Sequence, residues 1–339
     1  MDSAISLFEN IVDTAAKVGA SDIHLTAEAY PFYRVDGIVE PNYEHTLPTG
    51  TVHEIALALM SSGQREVFED RNTLDFSYTS RTGTRFRMNV FRERGRTVMA
   101  IRRLDDACSS VEELFLPSQF GDLADFKDGL VLVTGPTGSG KSTSLAALLH
   151  RINVTRRCHI MTIEDPVEHL HKNECALVSQ RELYTDVPSF SEAVRAALRE
   201  DPDVILVGEL RDLETVRAAI TAAETGHMVF STLHTNDCIG TIDRMISVFP
   251  ASEQNYIREQ LSRVLRAVVS QRLLPRAIGT GRVPAIEIMM INTAITNLIR
   301  NGDLHQIQTV IQTSAQEGNY VLEQSLADLV AHERITMTC

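Results

Sequence analysis

Residues 130–142 read Leu-Val-Leu-Val-Thr-Gly-Pro-Thr-Gly-Ser-Gly-Lys-Ser, and this stretch decides the fold of the 339-residue chain. Residues 130–134 are an apolar run typical of a buried strand. Residues 135–142 fit the pattern G-x-x-x-x-G-K-[ST] at every fixed position. Glycines let backbone N–H groups converge on phosphate oxygens, and a helix that begins at the end of the loop adds partial positive charge. The stretch therefore predicts a strand, a phosphate-binding loop and a helix.

The same loop predicts the cofactors. Lys141 is expected to reach the β and γ phosphates of ATP, and the Ser142 hydroxyl is expected to ligate Mg²⁺. The residues expected to bind the nucleotide are Gly135, Pro136, Thr137, Gly138, Ser139, Gly140, Lys141, Ser142 and Thr143. The alternative is a glycine-rich turn without a ligand, and the apolar strand directly before the motif argues against it.

Two acidic positions follow predicted strands. Glu164 closes the apolar run 159–163, where a carboxylate can orient and polarise the attacking water, so Glu164 is predicted to be catalytic. Glu209 closes the run 204–207, which is predicted to lie beside the strand of the phosphate-binding loop. Glu209 is expected to act on Mg²⁺ through a bridging water. The alternatives are a solvated surface acid for Glu164 and an ordinary core strand with a terminal acid for Glu209.

Two histidines flank the apolar run 228–233. A single histidine is more often structural than functional. His234, however, ends a predicted strand of the same sheet, where a neutral imidazole is expected to sense the γ-phosphate or to link neighbouring subunits. His227 and His234 are therefore candidate catalytic residues, with a coupling role favoured over that of a general base.

Residues 1–103 are predicted to form a small α+β domain without a catalytic motif. Apolar spacing, alternation and the turn dipeptide Asp36-Gly37 predict its elements: helices at 5–18 and near 52–68, and strands at 33–35, 38–40, 84–91 and 98–102. Arg85 and Arg87 alternate with apolar residues in the strand at 84–91, so they are expected on the face opposite the core.

The rest of the chain is predicted to be a linker and an α/β domain. Residues 104–127 lack sustained periodicity and are predicted to be the linker. In residues 128–339, apolar runs alternate with amphipathic helices, which indicates a parallel sheet with helices on both faces. The tail after residue 252 is expected to be mainly helical.

Composition limits the partners and the compartment. The net charge of -13 argues against non-specific wrapping of nucleic acid. The longest apolar stretches fall far short of the roughly 20 residues that span a bilayer, and Met1-Asp2-Ser3 does not resemble the start of a secretory signal. A cytoplasmic protein is therefore expected. Its five scattered cysteines are expected to be reduced and mostly buried, rather than in disulfides or a zinc site.

Four stretches in this order resemble the secretion ATPase family: the loop 135–142, an acidic box 162–168, a Walker-B-like strand 203–209 and a histidine box 225–235. Within the family, the chain looks most like the type IV pilus retraction branch (PilT-like). The four-cysteine zinc module and longer N-terminal extension of the assembly and secretion ATPases are not expected. The resemblance implies a PAS-like N-terminal domain joined to a RecA-like ATPase domain, in a ring of six with active sites between subunits.

The resemblance also implies a function. It is a hexameric motor that hydrolyses ATP and retracts pili in twitching motility, through an inner-membrane platform protein at the cytoplasmic face, with a paralogous retraction ATPase as a further partner. In such a ring, Arg87 and Arg102 are the best candidates to reach a neighbouring active site, and Arg85 and Arg103 are the alternates. The alternative for these arginines is a solvated sheet face.

One helix departs from the pattern of the branch. Retraction ATPases typically read Ala-Ile-Arg-Asn-Leu-Ile-Arg-Glu, whereas residues 294–301 place Thr296 and Asn301 at two of the charged positions. An accessory retraction ATPase of the PilU type is therefore an alternative, as is a type II/IV secretion ATPase. A RecA-like nucleic-acid translocase shares the loop and the sheet, but the net charge and the acidic box argue against it.

Overall fold

The computed structural model describes residues 2–44, 46–104 and 109–336. These residues form two compact units, and the chain passes between the units more than once. Unit 1 contains the described part of Met1–Ala107 together with Asp165–Leu170 and Arg181–Ser189; unit 2 contains the described part of the remaining chain. The sequence predicts one continuous domain over 128–339, whereas these two segments within that range belong to unit 1. They belong there because they contact the N-terminal sheet, and no local sequence pattern encodes such contacts.

Unit 1 contains one antiparallel sheet and three helices. Its elements are α1 (Asp2–Lys17), β1 (Asp22–Leu25), β2 (Phe32–Val35), β3 (Ile38–Pro41), α2 (Thr51–Leu59), α3 (Ser62–Arg71), β4 (Thr73–Thr79), β5 (Arg85–Glu93) and β6 (Arg96–Arg103). The strand order is β3-β2-β1-β6-β5-β4. Asp36 and Gly37 both have positive φ, of 49° and 84°, as a two-residue hairpin turn between β2 and β3 requires.

The predicted single helix near 52–68 is wrong, because two helices occupy this stretch. Met60 has extended backbone angles and ends α2. Ser61 then begins α3 with a capping box: its hydroxyl accepts from the Gln64 N–H, and the Gln64 side chain accepts from the Ser61 N–H. Such a cap satisfies the backbone donors at the start of a second helix. The apolar spacing therefore continues across the break between α2 and α3, and it does not reveal that the first helix has ended.

Contacts within unit 1 attach its two internal segments to the sheet. Glu182 accepts hydrogen bonds from the backbone N–H of Ser77 at 3.0 Å and of Val167 at 3.2 Å. Arg85 is only 3% exposed, and its guanidinium donates to the carbonyl oxygens of Val167 at 2.7 Å and Glu168 at 3.0 Å. Buried carbonyls need such partners, so these bonds stabilise the segments on the sheet.

Unit 2 is built on a seven-stranded sheet in the order β13-β12-β7-β11-β10-β8-β9. Its strands are β7 (Gly129–Thr134), β8 (His159–Glu164), β9 (Leu177–Glu182), β10 (Val204–Val207), β11 (Met228–Leu233), β12 (Leu265–Pro275) and β13 (Arg282–Met290). The chain from β12 through β7, β11 and β10 to β8 is parallel throughout, as predicted, and β13 is antiparallel to β12.

Helices precede, connect and follow these strands. They are α4 (Ser118–Asp122), α5 (Lys141–Thr155), α6 (Phe190–Ala197), α7 (Leu213–Glu224), α8 (Cys238–Ser247), α9 (Gln254–Val264), α10 (Thr293–Asn301), α11 (Ile307–Thr313) and α12 (Leu322–Ala331). The core of unit 2 lies against β7, β10, β11 and β12. Among the described residues, no helix combines the length and the apolar character that crossing a bilayer requires.

One prediction for this part of the chain is wrong, and another is incomplete. The strand β10 does not lie beside β7, because β11 pairs with both and separates them. The tail after residue 252 contains the helices α9 to α12, as a mainly helical tail requires, but it also contains the strands β12 and β13, which were not predicted. The first seven residues of β12 are nearly all buried, so the alternation that marks a half-exposed strand is missing.

The described part of the predicted linker is also packed. Val111, Leu116, Phe120 and Leu123 are buried in the core of unit 2, although their spacing is too irregular to predict an element. Residues 105–108 lie outside the described residues. The cysteines are mixed rather than mostly buried: Cys238 is buried, Cys158 is half-buried and Cys175 is exposed, while Cys108 and Cys339 lie outside the described residues.

Candidate nucleotide-binding site

The glycine-rich loop lies between β7 and α5, and two of its glycines are required by the neighbouring strand β12. Gly135 has φ of 144°, and a Cβ there would lie 2.2 Å from the backbone oxygen of Gln271. Gly140 has φ of 85°, and a Cβ there would lie 2.9 Å from the Gln271 side-chain nitrogen. Larger residues are excluded at both positions, which keeps the loop close to β12 and lets its N–H groups converge.

Lys141 begins α5, and its ammonium group is turned back onto the loop. Nζ donates to the carbonyl oxygens of Gly135 at 2.8 Å and of Pro136 at 3.0 Å. Ser142 follows at the exposed start of the helix, and Thr143 is half-buried. The hydroxyl of Ser139 is buried and has no hydrogen-bond partner among the described residues. The loop thus presents a cation, a helix N-terminus and an unsatisfied hydroxyl, which together fit a phosphate group.

Glu164 lies at the carboxyl end of β8 and is half-buried. Its Oε1 accepts hydrogen bonds from the Thr162 hydroxyl at 2.6 Å and from the Gln180 side-chain amide at 3.3 Å. These two donors fix the orientation of the carboxylate. This carboxyl edge of the parallel sheet is where the sequence predicts the catalytic carboxylate to lie.

Glu209 and His234 meet at the same edge of the sheet. They follow β10 and β11, and His234 Nε2 lies 3.2 Å from Glu209 Oε2. Glu209 also forms an ion pair with Arg211. Partial desolvation lowers the pKa of His234, although its side chain is 48% exposed, and the positive charges of Lys141 and Arg211 lower it further. His234 is therefore neutral at pH 7, and its Nε2–H donates to the Glu209 carboxylate.

The structure does not bring His227 to this edge. Because β11 runs from Met228 to Leu233, His227 and His234 lie at opposite ends of the strand. His227 Nδ1 lies 3.0 Å from the Ala222 carbonyl oxygen and 3.2 Å from the Thr225 hydroxyl, at the end of α7. Within one chain, these contacts place His227 at a helix end and not among the residues around the phosphate-binding loop.

The candidate arginines all lie in unit 1. Arg87 and Arg102 are directly opposite each other on β5 and β6, which confirms that their strand positions match. Arg87 bonds Asp75 and Glu168, each at 3.3 Å. Arg102 is 70% exposed and donates to Asp22 at 2.9 Å. Arg103 is exposed, whereas the buried guanidinium of Arg85 donates to the two backbone carbonyls described above, so a solvated position for Arg85 is wrong.

One residue of the site carries no motif in the sequence. Gln271, in β12, is 1% exposed; its amide donates to the Ser139 carbonyl at 2.7 Å and accepts from the Ser144 hydroxyl at 2.8 Å. The register of β12 explains this position, because Ser270 pairs with Thr134 and Gln271 is therefore level with the start of the loop. The contact could not be found from the sequence, since 132 positions separate Gln271 from Ser139.

The side chains of the described residues indicate how a divalent metal ion could be held at this site. No group of three or more His, Cys, Asp or Glu side chains among them could hold a metal ion. A divalent ion at this edge would therefore take ligands from Ser142, from Glu209 through water, and from the phosphates themselves, which is how Mg²⁺ is commonly bound in phosphoryl-transfer sites. The donor set fits Mg²⁺ held together with a nucleotide.

A parallel sheet with this loop and these acids at its carboxyl edge defines a P-loop nucleoside triphosphatase. The chain also matches the family of type II/IV secretion system proteins over residues 2–333. It belongs to that family, and it is a PilT-like member of it.

Individual relatives agree with this assignment. The chain is 48% identical over 321 residues to the type IV pilus retractation ATPase PilT of Pseudomonas aeruginosa, an alignment that covers 94% of this chain and 92% of the relative. It is 45% identical to a twitching motility protein of Neisseria gonorrhoeae, covering 88% and 80% of the two chains. A crystal structure of the pilus retraction motor PilT with bound ADP has a TM-score of 0.87 and 46% identity, and covers 97% of this chain and 94% of that chain.

Proposed function

We propose that this chain is an ATP-hydrolysing motor that retracts type IV pili and acts as a homo-hexameric ring. The observation that carries the proposal is the carboxyl edge of the unit 2 sheet, where Lys141, Glu164, Glu209 and His234 follow four parallel strands. Nearly half of the aligned residues are identical to those of a pilus retraction ATPase, which supports a type IV pilus as the load that the motor moves.

Lys141 is the first residue to change partner on binding. Its ammonium group leaves the carbonyl oxygens of Gly135 and Pro136 and moves to the β and γ phosphates, where the attraction between opposite charges is stronger. The N–H groups of the loop receive the remaining phosphate oxygens. Mg²⁺ would neutralise charge on the phosphates and be held by Ser142.

Glu164 orients the water that attacks the γ-phosphate and accepts its proton. Thr162 and Gln180 hold its carboxylate in one orientation. Glu209 would hold Mg²⁺ through a water molecule. The neutral His234 would respond to the γ-phosphate, because its bond to Glu209 would change when that carboxylate changes partner. Hydrolysis thus alters the contacts of His234.

In the ring, active sites lie between subunits. The PAS-like N-terminal domain of one subunit places Arg87 and Arg102 against the site of the next, and Arg102 is the more available of the two because its side chain is 70% exposed. An arginine supplied in this way contributes about 10³–10⁵ in rate in well-studied cases. Movement of the ring is transmitted to an inner-membrane platform protein at the cytoplasmic face, and a paralogous retraction ATPase is a further partner.

The test is the replacement of Glu164. Glu164→Gln keeps the size of the side chain but removes its basicity, so steady-state ATP turnover falls by about 10²–10⁴-fold while ATP affinity stays within a few-fold of the wild type. Glu174→Gln, at an exposed acid of the same unit, is the matched control and keeps full turnover. Turnover at the background level in both the wild type and Glu164→Gln would instead indicate a scaffold that binds nucleotide without hydrolysing it, and equal turnover above background would refute the role of Glu164.

The load is tested separately. In a bacterium with type IV pili that lacks its own retraction ATPase, the wild-type chain restores twitching and Glu164→Gln does not. Strong, salt-sensitive stimulation of the ATPase by single-stranded DNA would contradict the pilus load and favour a nucleic-acid translocase.

A further inference from the structure

The amide side chain of Gln271 connects β12 to the phosphate-binding loop and to the helix α5 that follows it. Its Nε2 donates to the carbonyl oxygen of Ser139, within the loop, at 2.7 Å. Its Oε1 accepts from the hydroxyl of Ser144, in the first turn of α5, at 2.8 Å. Gln271, Ser139 and Ser144 are all buried. Buried amide hydrogen bonds of this kind are costly to break, because water cannot replace the lost partner.

The two bonds also fix which way the amide points. Because the Ser139 carbonyl can only accept, the NH₂ group of Gln271 must face the loop, and Oε1 then accepts from the Ser144 hydroxyl. A glutamate at this position would place a carboxylate oxygen beside the Ser139 carbonyl, and two acceptors without a hydrogen between them repel each other. The site therefore requires an amide and not merely a side chain of this length.

The bond to Ser139 has a consequence for the next N–H group. In a trans peptide, the C=O and the following N–H lie in one plane and point in opposite directions. Gln271 holds the Ser139 C=O toward β12, so the N–H of Gly140 is directed away from β12. Gly140 has φ of 85°, and a Cβ there would lie 2.9 Å from Gln271 Nε2, so the amide and the glycine are fitted to each other.

We propose that Gln271 is a positioning residue for phosphate binding: it orients the peptide between Ser139 and Gly140 so that the Gly140 N–H faces the nucleotide. The inference rests on the proposed nucleotide site. It means that a residue 132 positions after Ser139 contributes to the affinity for nucleotide. Gln271 does not touch the phosphates itself. Its effect is confined to ligands whose phosphates enter the loop.

The experiment compares ligands with and without phosphates. ADP binding is measured by isothermal titration calorimetry and adenosine binding by NMR titration, for the wild type, Gln271→Glu and Ser144→Ala. Gln271→Glu is expected to weaken ADP binding by about 10- to 100-fold, the range for loss of one hydrogen bond to a charged group. Adenosine affinity is expected to stay within about twofold, since adenosine has no phosphate to contact the loop. Ser144→Ala removes one of the two bonds that hold the amide and is expected to weaken ADP binding by about threefold to tenfold, the range for one neutral hydrogen bond.

Two outcomes would overturn the inference. ADP affinity that matches the wild type in both variants would show that the orientation of the Ser139 carbonyl does not matter. An equal loss of ADP and adenosine affinity would indicate a general structural defect instead of a positioning role. If Gln271→Glu does not fold, the smaller change Ser144→Ala decides between the same outcomes. A wild-type chain that binds no ADP would refute the nucleotide site itself, which is a different result from either of these.

Discussion

Replacing Gly135 by alanine tests the close approach of the loop to β12. The new Cβ would lie 2.2 Å from the backbone oxygen of Gln271 and 2.7 Å from the Ser139 hydroxyl, at φ of 144°. Backbone strain at such a φ costs about 1–3 kcal/mol, and overpacking against a backbone atom adds about 1–3 kcal/mol. Gly135→Ala is therefore expected to lower the free energy of unfolding by about 2–6 kcal/mol.

Gly138→Ala is the matched control. Its φ is 75° and nothing lies within 4 Å of a Cβ there, so only strain of about 1–2 kcal/mol is expected. Both variants are unfolded in urea and followed by far-UV circular dichroism. If the two units unfold in separate transitions, the transition that ADP shifts is that of unit 2. Equal midpoints for the two variants would refute the idea that Gln271 limits the space at Gly135.

Two further predictions concern His234 and the arginines of unit 1. The pKa of His234 lies below its ordinary 6.5 in the folded chain, so the unfolded chain binds the proton first and the free energy of unfolding falls as the pH drops below 6.5. In urea unfolding between about pH 7.5 and 5, His234→Gln is expected to lose less of this free energy than the wild type. Equal losses in the two proteins would contradict the lowered pKa. Arg85→Ala leaves two carbonyl oxygens without their donor and is expected to lower the free energy of unfolding by about 2–4 kcal/mol. Arg102→Ala removes only an exposed ion pair and is expected to lower it by less than about 1 kcal/mol in the same urea assay. Similar costs for the two arginine variants would show that the buried guanidinium is not what holds the internal segment on the sheet.

Those parts of the site that are encoded locally could be predicted from the sequence. The loop from Gly135 to Ser142 is continuous in sequence, and Glu164, Glu209 and His234 each follow an apolar run. The carboxyl ends of parallel strands meet at one edge, so these residues could be placed together before the strand order was known. The opposition of Arg87 and Arg102 followed from alternation in two adjacent strands in the same way.

The rest depends on contacts between distant residues. The order of strands places β11 between β7 and β10, and neither of these two strands carries a pattern that specifies its neighbour. Gln271 lies in β12, whose first seven residues are buried except for the half-buried Arg266, so no exposed face produces alternation. This is why the sequence does not predict the strand β12 within the tail. Within one chain, His227 lies away from the loop for a simpler reason, since a residue that precedes a parallel strand lies at the opposite edge from one that follows it.

The path of the chain between the two units has a consequence for how the protein is inherited. Asp165–Leu170 and Arg181–Ser189 belong to unit 1 although both are flanked by unit 2, and the first of them begins directly after Glu164. A recombination event between related genes that falls after the N-terminal sheet and before residue 165 would therefore combine the sheet of one parent with the two internal segments of unit 1 from the other. Ser77, Arg85 and Glu182 would then have to match across the two parents. The two units are expected to diverge together, as one heritable module.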